Sequence, residues 1–108
     1  MTVKDFIEKQ NLKVLVEGEL DREIDTCYIG DLLSWVMGRA KADNAWITIM
    51  SNINIVAVAS LADVACIILA EGVELDSAVK ETANAKGVNI LTADMPAYET
   101  AMLLGSKL

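Results

Sequence analysis

Histidine is absent from this 108-residue sequence. That removes the commonest general base, the commonest metal ligand and every Ser-His or Cys-His pair. Basic residues are few: 9 Lys+Arg stand against 16 Asp+Glu, a formal charge of −7. Phosphate neutralisation needs a basic surface, so nucleic-acid binding is not expected, and neither is docking to an anionic membrane. The only two cysteines, Cys27 and Cys66, form no CxxC spacing. A zinc knuckle or a thioredoxin-like site is thereby excluded, and free thiols in a cytoplasmic protein are expected. The start, Met1-Thr2-Val3-Lys4-Asp5, has no apolar secretory core. No GxxxxGK[ST], GxGxxG or GxSxG motif occurs, so a kinase, a dinucleotide oxidoreductase and an α/β-hydrolase all lack their sequence basis.

Apolar residues are abundant, at 54%, with a mean hydropathy of +0.39. This suffices for one ordered domain and is high for so small an interior, so part of it is expected to cover a partner. A homodimer is the expected form. Residues 44–62 carry no charge, but Ser51, Asn52 and Asn54 interrupt the run, which reads as two buried elements joined by a loop rather than a membrane span.

Thr2-Val3-Lys4-Asp5 fits a capping box for a helix over 3–10. Strands are expected over 13–17, 26–29, 45–50, 65–70 and 88–92. Between them, helices are expected over 32–41, 55–63 and 77–86, the last capped by Asp76 and ended by Gly87. A final helix follows Asp94-Met95-Pro96 and runs to about Leu104. The alternation predicts a single α/β domain, with a mostly parallel sheet and helices on both faces.

In such a sheet, ligands gather at the carboxyl ends of the strands. The polar residues expected there are Asp31, Ser51, Asn52, Asn54, Thr92 and Asp94, the candidate ligand-binding set. Each has a structural reading beside the functional one. Asp31 and Asp94 also suit helix N-caps. Ser51, Asn52 and Asn54 also suit an Asx or ST turn. Asp63 fits an exposed helix end or a buried hydrogen bond. Asp31, Glu71 and Asp94 could ligate magnesium or act as acid and base if they converged. The basic residues are scattered, and none is expected on this rim. No cofactor and no catalytic residue is indicated.

Two stretches carry a family resemblance. One is Leu20–Met37, in which a strand leads into Gly30-Asp31-Leu32-Leu33-Ser34 and then Val36-Met37. The other runs from Trp46-Ile47-Thr48-Ile49 to Asn54-Ile55-Val56-Ala57-Val58-Ala59. With Gly87-Val88-Asn89-Ile90-Leu91, they resemble the DRTGG domain. Asp21-Arg22 matches the start of the namesake motif, while Glu23-Ile24-Asp25 stand where the family has Thr-Gly-Gly. The opening Val3–Lys9, through Leu15, is similar to the N-terminal domain of HPr kinase/phosphorylase, whose activity resides in a separate phosphate-loop domain. The resemblance implies a regulatory or dimerising module, such as accompanies nucleotide-sensing cystathionine-β-synthase (CBS) domains. It carries over no catalytic residues. The leading expectation is therefore a non-catalytic regulatory module. The alternatives are a nucleotide or metabolite sensor at the strand-end rim and, behind it, a carboxylate- or magnesium-dependent enzyme.

Overall fold

The computed structural model describes residues 1–108. The chain begins with α1 (Val3–Gln10), β1 (Lys13–Val16), β2 (Cys27–Ile29) and α2 (Leu33–Arg39). It continues with β3 (Ala45–Thr48), α3 (Asn54–Ala62), β4 (Cys66–Leu69), α4 (Ser77–Lys86), β5 (Ile90–Thr92) and α5 (Ala97–Gly105). All ten elements fall where the hydrophobic periodicity puts them, with shorter strands than expected.

The five strands form one sheet in the order β1-β5-β4-β3-β2. Strands β2 to β5 are parallel, and β1 joins β5 antiparallel with Lys13 opposite Thr92. The parallel strands advance in one direction, so their three right-handed crossovers lay α2, α3 and α4 on one face. The core follows suit. Val36, Ile55, Val58 and Val79 pack with Trp46, Ile67 and Ile90 on that face. On the other face, Val3 and Phe6 of α1 and Leu104 of α5 pack with Ile47, Ile68 and Leu91. Strands β3 and β4 are buried along their whole length, as their continuous apolar runs require.

Several caps match the sequence. Thr2 and Asp5 exchange the two bonds of a capping box. Asp76 accepts from the Val79 amide, and Gly87 ends α4 at φ 70°. Two expected caps are absent. The N-cap of α2 is Leu32 and that of α5 is Pro96, neither with a side-chain cap bond. Neither Asp31 nor Asp94 caps a helix, and Asp31 bonds across to β3 instead. Asp63 takes the first of its two readings: it ends α3 as an exposed left-handed C-cap.

Strands β1 and β2 follow each other in sequence but lie at opposite edges. Residues 17–26 therefore cross the full width of the sheet beneath the amino ends of the parallel strands. This strap is fixed at each strand it passes. Gly18 donates to Asn89 Oδ1 at 2.7 Å, and Asn89 Nδ2 donates to the carbonyls of Glu19 and Ala65. Arg22 Nη1 reaches Asp63 Oδ1 at 2.8 Å, while Nη2 reaches Asp43 Oδ1 at 2.7 Å and the Asp63 carbonyl at 2.8 Å. Helix α1 hangs from the strap through Val3 N to Arg22 O and Lys4 N to Leu20 O. A Cβ on Gly18 would come within 2.2 Å of the Gly87 carbonyl oxygen, so the strap can pass only with glycine there.

No helix is long and apolar enough to cross a membrane. Both cysteines are free, Cys66 buried and Cys27 partly so.

Candidate functional site

The carboxyl ends of β2 to β5 form one rim, and the antiparallel β1 contributes its amino end to the same rim. At the β5 end, two loops are lashed together. Glu71 N donates to Met95 O at 2.8 Å, Gly72 N to Ala93 O at 2.9 Å, and Thr92 Oγ1 to Val73 O at 2.8 Å. Glu71 and Gly72 both adopt positive φ, at 61° and 69°, to make this turn. Beside it opens a cleft of about 470 Å³, whose polar lining includes Gln10, Lys13, Glu74, Thr92 and Asp94. Lys13 Nζ closes on Glu74 Oε1 at 3.0 Å across one side of it.

This cleft gathers two of the six expected site residues, Thr92 and Asp94. Thr92 is buried with its hydroxyl committed to Val73. Asp94 is exposed, with its carboxylate against Gly72. The other four lie at the β2–β3 half of the rim. Asp31 Oδ1 accepts from Thr48 Oγ1 at 2.8 Å and from the Ile49 amide at 3.0 Å, tying the end of β2 to β3. Asn52 Oδ1 accepts from the Asn54 amide at 2.9 Å, closing an Asx turn before α3. Ser51 is exposed on the same loop, and Asn54 is exposed at the start of α3.

The rim is not free of basic residues, as the sequence suggested: Lys13 reaches it because β1 runs antiparallel. Sequence reasoning also missed Gln10 and Glu74. The one available signal was Asn11, a residue type that tolerates the left-handed turn it makes here at φ 53°. Asp31, Glu71 and Asp94 do not converge. No three His, Cys, Asp or Glu side chains are grouped closely enough to hold a metal ion.

The opposite rim holds a smaller recess of about 160 Å³, lined in part by Arg22, Asp63, Lys86 and Asn89. Arg22 faces it but is already held by two carboxylates. Burial works against its charge, and the hydrogen bonds to Asp43 and Asp63 outweigh that, raising its pKa. Burial pushes the Cys66 thiol up to about 12 against the opposing charge of Arg22, and burial raises that of Cys27, so neither is an activated nucleophile.

No protein of curated function matches the sequence. Among solved structures, the chain is similar to the CBS and DRTGG domains of the regulatory region of Clostridium perfringens pyrophosphatase, solved in complex with the activator diadenosine tetraphosphate. The likeness has a TM-score of 0.73 at 10% identity, and spans 99% of this chain but only 47% of that one. Residues 5–106 match the DRTGG domain, and the chain belongs to that family.

Proposed function

We propose that this chain is a non-catalytic regulatory module that acts by association, its first partner being a second copy of itself. The observation that carries this is the placement of apolar surface. A complete two-sided core is already buried, yet Leu32 and Trp35 beside the β2 edge remain more than half exposed and Ile29 on that edge about half, while Leu61, Tyr98 and Met102 are exposed elsewhere on the helices. Isolated exposed apolar side chains are ordinary, whereas several flanking one sheet edge mark an interaction surface. The similar pyrophosphatase region, which is regulatory, supports the reading. Sedimentation across a micromolar concentration series tests it: a concentration-dependent dimer is expected, and a monomer throughout refutes it.

A second reading has one observation in its favour, the strand-end cleft. Its size suits a small molecule. Glu74 and Asp94 outnumber Lys13, which Glu74 already neutralises. Such a lining disfavours a polyphosphate and favours an amine or a zwitterion. Thermal shift against nucleotides and against amino acids and polyamines tests this. Stabilisation by an amine, abolished by Asp94→Asn, supports it; stabilisation by nucleotides alone refutes it.

A further inference from the structure

The two edges of the sheet are built differently. β1 begins with Lys13, and its register slips between Val14 and Val16. A charge and an irregularity both discourage the addition of another strand. β2 has neither: Cys27, Tyr28 and Ile29 are uncharged and pair regularly with β3. On the inner side, the Thr26 carbonyl accepts from Ala45, and the Gly30 amide donates to Ile47. Bonding residues alternate along a parallel ladder. The even-numbered residues therefore face β3, and the N–H and C=O of Cys27 and Ile29 point outward, where no strand covers them.

We propose that this edge pairs antiparallel with the same edge of a second copy, about a two-fold axis at Tyr28. The inference rests on the self-association proposed above and adds the surface and the register. Cys27 and Ile29 are spaced equally about Tyr28. Each Cys27 then lies opposite Ile29 of the other copy, and each such pair exchanges both of its bonds. The edge is its own complement, as a two-fold interface requires. Two five-stranded sheets become one of ten.

The flanks agree. Right-handed crossovers put α3 on one side of α2 and the β2 edge on the other. Helical spacing turns Leu32 and Trp35 to the edge side and Met37 toward α3. Trp35 is 55% exposed, with the Arg39 guanidinium carbon 4.0 Å from its ring centroid. On the other face, α5 packs across β2 and β3, with Tyr98 and Met102 turned to solvent opposite the buried Thr100 and Leu104. Ile29 is on that face too, since Cys27 packs there and Tyr28 packs on the opposite one. A two-fold axis perpendicular to the sheet joins like faces, so each flank meets its own copy. Ile29, Leu32 and Trp35 together expose on the order of 300 Å² of side chain, against the ~800 Å² per partner of a standard interface. The rest comes from the edge backbone and the neighbouring polar rim.

The test uses the whole chain. Ile29→Lys places two charges in the joint, and Ile29→Pro removes one outward donor at an edge position that tolerates proline. Each should raise the dimer dissociation constant about tenfold or more while leaving the far-ultraviolet circular dichroism unchanged. The register is read by Ile29→Cys. Its thiol would face Cys27 of the other copy at a Cα separation of about 5.5 Å, within disulfide reach. Oxidised glutathione, which accepts the two electrons, should then give a covalent dimer. That dimer should vanish when Cys27→Ser is added. A dimer that ignores Ile29→Lys and Ile29→Pro and gives no Ile29→Cys cross-link overturns the edge assignment alone. A chain that is monomeric throughout overturns self-association with it.

Discussion

Replacing Arg22 by methionine keeps most of its stem and removes the guanidinium that fixes the strap. Three hydrogen bonds go, two to carboxylates and one to the carbonyl ending α3. A bond to a charged group is worth roughly 1.5–3 kcal/mol when both partners are desolvated. Here the Asp43 and Asp63 side chains are 52% and 67% exposed, so water takes up the freed carboxylates and most of that sum is discounted. The net loss should be about 2 kcal/mol, or a fall in melting temperature of roughly 8–16 °C. Urea denaturation gives the first figure, and native-state hydrogen exchange locates it. The amides of Val3, Lys4 and Ile24 bond to the strap or to the chain start beside it, so they should lose protection before the β3–β4 amides do. Arg22→Lys should recover only part, because one ammonium cannot span two carboxylates as a guanidinium does. A loss below about 0.5 kcal/mol, or unchanged protection at Val3 and Lys4, would mean that backbone bonds alone hold the strap.

Asn89→Ala leaves the buried Ala65 carbonyl and two partly buried groups, the Gly18 amide and the Glu19 carbonyl, short of a partner and should cost about 1–3 kcal/mol by urea denaturation. Gly18→Ala should be worse still, since its Cβ would collide with backbone, and calorimetry should show a chain only marginally folded. The folded thiol of Cys66 ionises near 12 against its ordinary 9.0, so the folded state holds that proton longer. Stability should therefore be full below pH 9.0 and decline as pH climbs toward 12; chemical denaturation of Cys66→Ala should show a flatter alkaline limb. Asp5, held below its ordinary 3.8 chiefly by hydrogen bonds from Thr2, has the opposite sign. Its contribution is present above pH 3.8 and lost as acid protonates it, so Asp5→Asn should flatten the acid limb of the same measurement.

Periodicity was enough to read the elements because each has one buried face or two. Val36 and Ala40 mark the inner stripe of α2, and Cys66-Ile67-Ile68-Leu69 could only be a strand covered on both sides. Partners distant in sequence left no such trace. Asp31 precedes a helix and so resembles a cap, but its carboxylate bonds across to β3, a choice decided by strand pairing. Residues 19–25 look like a charged connection because the carboxylates that anchor Arg22 lie on β3 and α3 flanks far along the chain. Thr92 and Asp94 were legible as the end of a strand. Lys13 and Glu74, which complete their cleft, required knowing that β1 returns antiparallel beside β5.

That return of β1 has a consequence for how the chain is made. The first strand of the chain pairs only with the last strand to emerge, Lys13 beside Thr92. During synthesis, β1 waits while β2, β3 and β4 assemble with their three crossover helices, and the Gly18–Glu19 end of the strap gains its anchor only when Asn89 arrives, although Arg22 can already hold the other end through Asp43 and Asp63. Closing the longest loop in the molecule is thus the final event rather than the first, and topologies of this kind fold slowly. Until that moment β4 is itself an edge, bare and wholly apolar, and the nascent domain is most prone to aggregation in the interval before its last strand is released.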